Sequence, residues 1–414
     1  MKILLVNWSW YPSGGDWTYV ENIHKLYEEK GYEVIPFSTL NKKNIPSAYS
    51  EYFVKTYDFK ELNKRKNISN GIKALKTSVI SQDALHKLDL LLAMHDIKVA
   101  HLNNIHHYIT PAIIEKLKKK NIKIIWTLHD FKIICPENSF ISNGVLCEKC
   151  ITGNFYNCAV NLCKKKSFLA SSLASFEAYY YHSKKTYDLV DYFLCPSEFL
   201  SKKFIQFGFD PAKLMVSNSC YDINLIDQYI SNYTPRFADA KPEKYALYIG
   251  RLEEIKGVET LIEAIKDTDI KVKIVGSGVE EQRFKKMAEG YDNIEFLGFK
   301  NKAEVFKLTQ ECLFVVCPSI CYENLPFSII ESFLFYKPVI GSDIGGIPEL
   351  VIEGKTGLLF EAANVAHLCE KMNYLWNNEL IVKRLGNEAR KVAHEMVNFA
   401  THWKKIESVL LKLM

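Results

Sequence analysis

No apolar run in this 414-residue chain approaches the roughly 20 residues that a helix needs to cross a bilayer. The opening stretch, Met1 to Val6, has one lysine and a short apolar run. Asn7 interrupts it before a secretory h-region could form, so it reads as a buried first strand. Charge of one sign is scarce too. Fifty-three Lys and Arg against 48 Asp and Glu leave a formal +5, weaker than a dedicated nucleic-acid binder shows. That balance leaves room for a phosphorylated ligand or an anionic membrane surface. Low-complexity tracts and short-period repeats are missing, and a composition of 48% hydrophobic and 24% charged residues excludes intrinsic disorder. A Walker loop is absent as well, since no G-x-x-x-x-G-K-[ST] run occurs.

At roughly 150 residues per domain, the length suggests two to three domains. Short apolar runs alternate with longer amphipathic stretches, the pattern of βα units on a parallel sheet. Strands are expected at Lys2–Val6, Glu33–Phe37, Lys98–Leu102, Lys123–Trp126, Tyr192–Cys195 and Leu214–Val216, with helices over Trp17–Lys30 and Ala112–Lys120. Asn41 to Gly71 is polar and irregular and reads as an insertion. Residues 219–244 are polar, carry Pro235 and Pro242, and suit a linker. The pattern restarts with Tyr245–Ile249, Lys271–Val275, Ile294–Leu297, Leu313–Cys317, Val339–Ser342 and Leu358–Phe360, and is helical from His367 onward. The expected architecture is α/β: two doubly wound domains, 1–218 and 245–397. Such sheets bind ligands at the carboxyl ends of their strands.

Several motifs fall at those ends. The strand ending at Gly250 runs into Arg251 and Lys256-Gly257, followed by a helix pattern from Val258 to Ile265. Two cations at a strand-to-helix junction suit a diphosphate, though two solvated loop cations would look the same. Gly276 and Gly278 end the next strand, but Glu281 replaces the third glycine of a dinucleotide fingerprint. Cys317 leads through Ser319, Glu323, Leu325 and Pro326 to Phe327 and Glu331. Pro326 suits the first turn of a helix, whose free N–H groups at Phe327 and Ser328 would attract an anion. Two carboxylates beside an anion site suit a ligand with hydroxyls on both sides of a diphosphate. Further glycine pairs stand at Gly345-Gly346 and Gly14-Gly15.

Together, Gly14-Gly15, Thr127-Leu-His129-Asp130, Pro196-Ser-Glu-Phe199, Gly250-Arg251 with Lys256-Gly257, the pair Glu323 and Glu331, and Gly345-Gly346-Ile-Pro-Glu349 resemble glycosyltransferase family 4. The resemblance runs in order over nearly the whole chain. It implies a GT-B fold, in which two Rossmann-like domains face each other across a cleft and the last helix, here about 398–414, packs back on the N-terminal domain. It also implies a retaining, metal-independent hexosyl transfer from a UDP-sugar or GDP-sugar. Arg251 and Lys256 would hold the donor diphosphate, Glu323 the sugar hydroxyls and Glu331 the ribose. Phe299 would lie beside the base, His129 near the transferred sugar, and Gly14 and Gly15 beside the phosphates. Gly250, Leu325, Pro326 and Phe327 would complete the donor site. Many members have glycine where Pro326 stands, and proline removes one backbone donor. His106 and His107 follow a strand end and could touch the acceptor or form a surface loop.

Eleven cysteines occur, five of them between Cys135 and Cys163. Without an export signal the expected compartment is a reducing cytoplasm. Cys147-x2-Cys150 followed by Cys158-x4-Cys163 has the spacing of a small structural zinc site, and free thiols in a loop are the alternative. Family members with a cysteine-rich insert match Cys135, Cys147, Cys150 and Cys163. Next come Lys164-Lys-Lys166 and an aromatic helix pattern with Phe168, Phe176 and Tyr179-Tyr-Tyr181. That segment is either a peripheral docking face for the inner leaflet or a buried aromatic helix with a charged cap. The expected function is sugar transfer to a glycan or lipid-linked glycan in cell-surface polysaccharide assembly. The rivals are a nucleotide-sugar epimerase of the same architecture and a non-enzymatic binding protein.

Overall fold

The computed structural model describes residues 1–56, 79–106, 108–233 and 243–413. It divides into two units, Met1–Tyr221 with His402–Met414, and Asp222–Thr401. His107, Pro235, Pro242 and the part of the expected insertion beyond residue 56 lie outside the described residues.

Unit 1 is built on β1 (Lys2–Val6), β2 (Glu33–Phe37), β3 (Ile97–Leu102), β4 (Lys123–Thr127), a hairpin of β5 (Ile141–Ser142) and β6 (Val145–Leu146), β7 (Tyr192–Cys195) and β8 (Leu214–Val216). Six of these form a parallel sheet in the order β2-β1-β3-β4-β7-β8. Ile3, Leu4, Leu5 and Val6 are wholly buried. A parallel strand covered on both faces can be apolar at successive positions, which is why these runs do not alternate. Each such side chain contributes roughly 1.5–3 kcal/mol by leaving water. Helix α1 (Gly15–Glu29) follows β1 and buries Tyr19, Val20, Ile23 and Leu26. Helix α2 (Phe168–Ser183) is capped by Ser167, whose side chain accepts from the Ala170 N–H.

Unit 2 opens with α3 (Ile223–Asn232). This helix falls inside the stretch expected to be a linker. It forms because Ile223 and Ile226 bury one side of it, enough to anchor an otherwise polar segment. The sheet comprises β9 (Ala246–Ile249), β10 (Val272–Val275), β11 (Ile294–Gly298), β12 (Phe314–Cys317), β13 (Val339–Ser342) and β14 (Gly357–Phe360), all parallel in the order β11-β10-β9-β12-β13-β14. Helices α4 (Val258–Ile265) and α5 (Phe327–Leu334) follow β9 and β12. Ala246, Ile274, Phe314 and Val316 from the sheet pack with Val258, Leu261 and Ile262 of α4 in one core. The chain ends in α6 (Phe399–Leu413), and its residues from His402 onward belong to unit 1. Among the described residues no helix is long and apolar enough to cross a membrane.

Candidate active site

Parallel strands share one carboxyl edge, so the loops after β9, β10, β12 and β13 meet there in unit 2. After β9 the chain passes Gly250 and Arg251, forms a short turn over Glu254–Lys256, and enters α4 through Gly257. Gly257 has φ 69°, and a Cβ there would lie 1.8 Å from the Pro318 carbonyl oxygen. Only a residue without a side chain lets the β9 loop press against the β12 loop in this way. The Ile320 N–H donates to the Ile255 carbonyl at 3.0 Å, joining the same two loops.

Their contact places Lys256 Nζ 2.6 Å from Glu323 Oε1. Ser319 Oγ donates to the same carboxylate oxygen at 2.6 Å. Both charged side chains are largely buried, at 19% and 15% exposure. Burial alone would lower the lysine pKa, but the facing Glu323 charge overrides it and pushes Lys256 up to about 12. Burial likewise works to raise Glu323, and the Lys256 charge and hydrogen bonds prevail to hold it below the usual carboxylate value. The pair is therefore ionised throughout the neutral range.

Arg251 is two-thirds exposed and pairs with Glu253 at 2.8 Å. Its carbonyl accepts from the buried Tyr248 hydroxyl at 2.9 Å, so the backbone is fixed while the guanidinium faces solvent. The loop after β13 clasps Glu323 from behind. The Gly346 N–H donates to the Glu323 carbonyl at 2.7 Å, and a Cβ on Gly346 would lie 2.0 Å from the Asn324 carbonyl oxygen. Leu325 is buried, and Pro326 stands just before α5 rather than in its first turn. Glu331 is half-buried on α5, and Phe299, after β11, is 78% exposed. Unit 2 thus brings Arg251, Lys256, Glu323 and the head of α5 to neighbouring strand ends. Ser319, the neutral partner of Glu323, was named in the sequence only as part of the strand-end loop and given no role there.

In unit 1, Gly14 precedes α1 with φ 146°. Asp16 follows in the first turn, where a carboxylate complements the helix N-terminus, and its Oδ2 accepts from Trp8 Nε1 at 2.8 Å and Asn104 Nδ2 at 3.1 Å. His129, at the end of β4, places Nε2 2.9 Å from Asn103 Oδ1, with its ring 5.3 Å from that of Tyr19. Burial lowers its pKa to about 4, against the opposing pull of Asp16. The imidazole is therefore neutral at pH 7. Asp130 is raised by burial, and its carboxylate accepts from the Lys132 N–H at 2.9 Å.

Beneath these residues runs a buried polar chain that sequence reading missed. Tyr27 Oη bonds His101 Nδ1 at 2.9 Å, and His101 Nε2 bonds Thr127 Oγ1 at 2.7 Å. Thr127 donates to Tyr19 Oη at 3.1 Å, and Tyr19 Oη lies 3.2 Å from His402 Nε2. His402 Nδ1 meets the Asn218 carbonyl at 2.8 Å. His101 stood as a titratable residue in an apolar strand, a usable signal. His402 had none, because its partners are 184 and 383 positions away.

The zinc expectation finds no support in the structure. Cys135, Cys147, Cys150, Cys158 and Cys163 border one small cavity, yet among the described residues no group of three or more His, Cys, Asp or Glu could hold a metal ion. Cys163 Sγ donates to Ser142 Oγ at 3.5 Å. Burial raises the Cys135 thiol to about 11, and burial with the neighbouring cysteines raises Cys150 to about 12.

This geometry can now be set beside known proteins. The whole chain superposes on the Anabaena HepE protein, solved in complex with UDP and glucose, with a TM-score of 0.67, 18% identity and full coverage of both chains. The fold is GT-B, as expected. Residues 232–392 match the family model of Glycosyl transferases group 1, a stretch that makes up most of unit 2. An uncharacterized glycosyltransferase of Methanocaldococcus jannaschii is 36% identical over 149 residues, 36% of this chain and 42% of that protein. The O-antigen chain mannosyltransferase C of Escherichia coli is 29% identical over 173 residues, 41% and 47% of the two chains. The match thus spans less than half of each of these two relatives.

Proposed function

We propose that the protein is a retaining glycosyltransferase that moves a hexosyl group from a UDP-sugar or GDP-sugar to a glycan or lipid-linked glycan in polysaccharide assembly. The observation that carries this reading is the buried Lys256–Glu323 pair beside exposed Arg251. An ammonium has three donors, and one is taken by Glu323, so two remain for phosphate oxygens. Arg251 adds a planar fork for the same diphosphate. Ser319 and Lys256 both bond Oε1 of Glu323, which leaves Oε2 to accept from a sugar hydroxyl. Glu331 suits the ribose, Phe299 the base, and the N-terminal turn of α5 the phosphates.

As the leaving diphosphate gains charge, Lys256 and Arg251 stabilise it in place, so a divalent ion is not required. The anomeric carbon becomes oxocarbenium-like, and the departing phosphate oxygen takes the acceptor's proton on the face it leaves. Neutral His129, whose one N–H faces Asn103 Oδ1, would accept a hydrogen bond from a sugar hydroxyl through Nδ1. Gly14 and Gly15 admit a ligand close to backbone, and the Asp16 carboxylate beside them favours hydroxyls there over further anions. Support for the donor class comes from the UDP and glucose in the Anabaena structure; support for the setting comes from the O-antigen relative.

The test is to incubate the protein with nucleotide-sugars in EDTA, with and without glycan acceptors, and follow the products by NMR. Acceptor-dependent product with the donor's anomeric configuration is expected. Conversion of the donor sugar without acceptor would instead identify an epimerase.

A further inference from the structure

Helix α2 wears its large apolar side chains on the outside. Its buried positions are Ser171, Ala174, Ser175, Ala178 and Tyr181, four of them small. Phe168, Leu169, Phe176 and Tyr179 are 67%, 73%, 54% and 40% exposed. At 3.6 residues per turn these four positions fall within an arc of about 100° on one side of the helix. Just before α2, Val160 and Leu162 are exposed by 70% and 40%. A helix that only had to pack on its own unit would point such groups inward. An apolar surface of this kind marks an interaction site. The alternative of a buried aromatic helix is overturned by these exposures, with Tyr181 alone of the named rings fully enclosed.

The charge around this face has one sign. Lys149, Lys165 and Lys166 are exposed and form no ion pair among the described residues. The two carboxylates between residues 141 and 183 are both engaged: Glu148 lies 2.5 Å from Lys203, and Glu177 lies 3.0 Å from Lys132. Neither carboxylate of this segment pairs with the three lysines. A second copy docked face to face would bring both sets of lysines together with no free carboxylate between them. An anionic surface instead satisfies the cations while the rings enter its apolar boundary.

We propose that the α2 face docks on an anionic lipid bilayer, with Phe168, Leu169 and Phe176 at the headgroup boundary and Lys165 and Lys166 on lipid phosphates. This goes beyond the transferase reading and does not depend on it. The test is co-sedimentation of the full chain with vesicles of phosphatidylcholine alone, or mixed with phosphatidylglycerol at about 3:1. Binding is expected only with the anionic lipid, weakening as salt rises. Lys165→Ala with Lys166→Ala should weaken it about 25-fold, near fivefold per lysine. Phe168→Ser with Leu169→Ser should weaken it about tenfold or more. Both variants should melt like the parent, since they change exposed side chains. Equal binding to the two vesicle types, or none to either, would overturn the proposal. So would full binding by both variants, or a dimer in light scattering that Phe168→Ser dissociates. Nucleotide binding plays no part in this test, so its failure and that of the transferase reading are distinguishable.

Discussion

Lys256 and Arg251 are both cations at one strand end, but their surroundings give them different burdens. Lys256 neutralises a largely buried carboxylate 2.6 Å away. Lys256→Ala should therefore lower the stability of unit 2 by about 3–5 kcal/mol, the cost of leaving a buried charge unpaired, measurable by urea unfolding. Arg251 is mostly exposed, so Arg251→Ala should leave stability within about 0.5 kcal/mol of the parent. It should still weaken diphosphate binding by about 1.5–3 kcal/mol, the worth of a charged hydrogen bond. Equal effects of the two substitutions on stability would contradict this division. The residue types were legible as a motif, and their partnership was not. A lysine and a glutamate 67 positions apart meet only because Gly257 lets two loops touch.

Histidines of unit 1 carry a second prediction at this scale. Burial depresses His101 to about 3 and His402 to about 4, both below the unfolded value near 6.5. Between those limits the unfolded chain binds more protons than the folded one, so stability rises with pH and falls on acidification. By pH 5 each should have withdrawn on the order of 2 kcal/mol. A urea midpoint that stays flat from pH 7.5 to 5 would refute the burial argument.

At the level of elements, the sheet strands were readable because double burial makes each a continuous apolar run, as in Ile3–Val6. Expected and observed bounds differ by a residue at β3, β4, β9, β10, β11, β12 and β14, where residues such as Ile97, Thr127, Tyr245 and Gly298 sit at the margins. Helix α3 was missed because a short helix can be anchored by Ile223 and Ile226 within polar surroundings. Hairpin β5–β6, two residues per strand, is too short to leave a period. The cysteine spacing was plain, whereas the direction of each thiol depends on tertiary turns that no spacing reports. Gly257→Ala tests the element junction directly. Adding a Cβ at φ 69° and 1.8 Å from a carbonyl oxygen should cost at least about 1–2 kcal/mol from backbone conformation alone, with more from the clash. A variant that melts like the parent and binds nucleotide normally would show that the loops can separate without harm.

For the molecule as a whole, the two units divide the chemistry. Unit 2 holds the cations, the carboxylates and the stretch that matches the group 1 model; unit 1 holds a neutral histidine above a chain of buried polar contacts. A nucleotide that binds only the folded form at a hundred times its Kd should stabilise the protein by about 2.7 kcal/mol. The most direct measurement is calorimetric titration of UDP and GDP into the protein and into Arg251→Ala, both in EDTA. The account predicts that one nucleotide binds the parent without a divalent ion and binds the variant about ten- to a hundredfold more weakly. Binding that requires magnesium, or equal affinity of parent and variant, would contradict it.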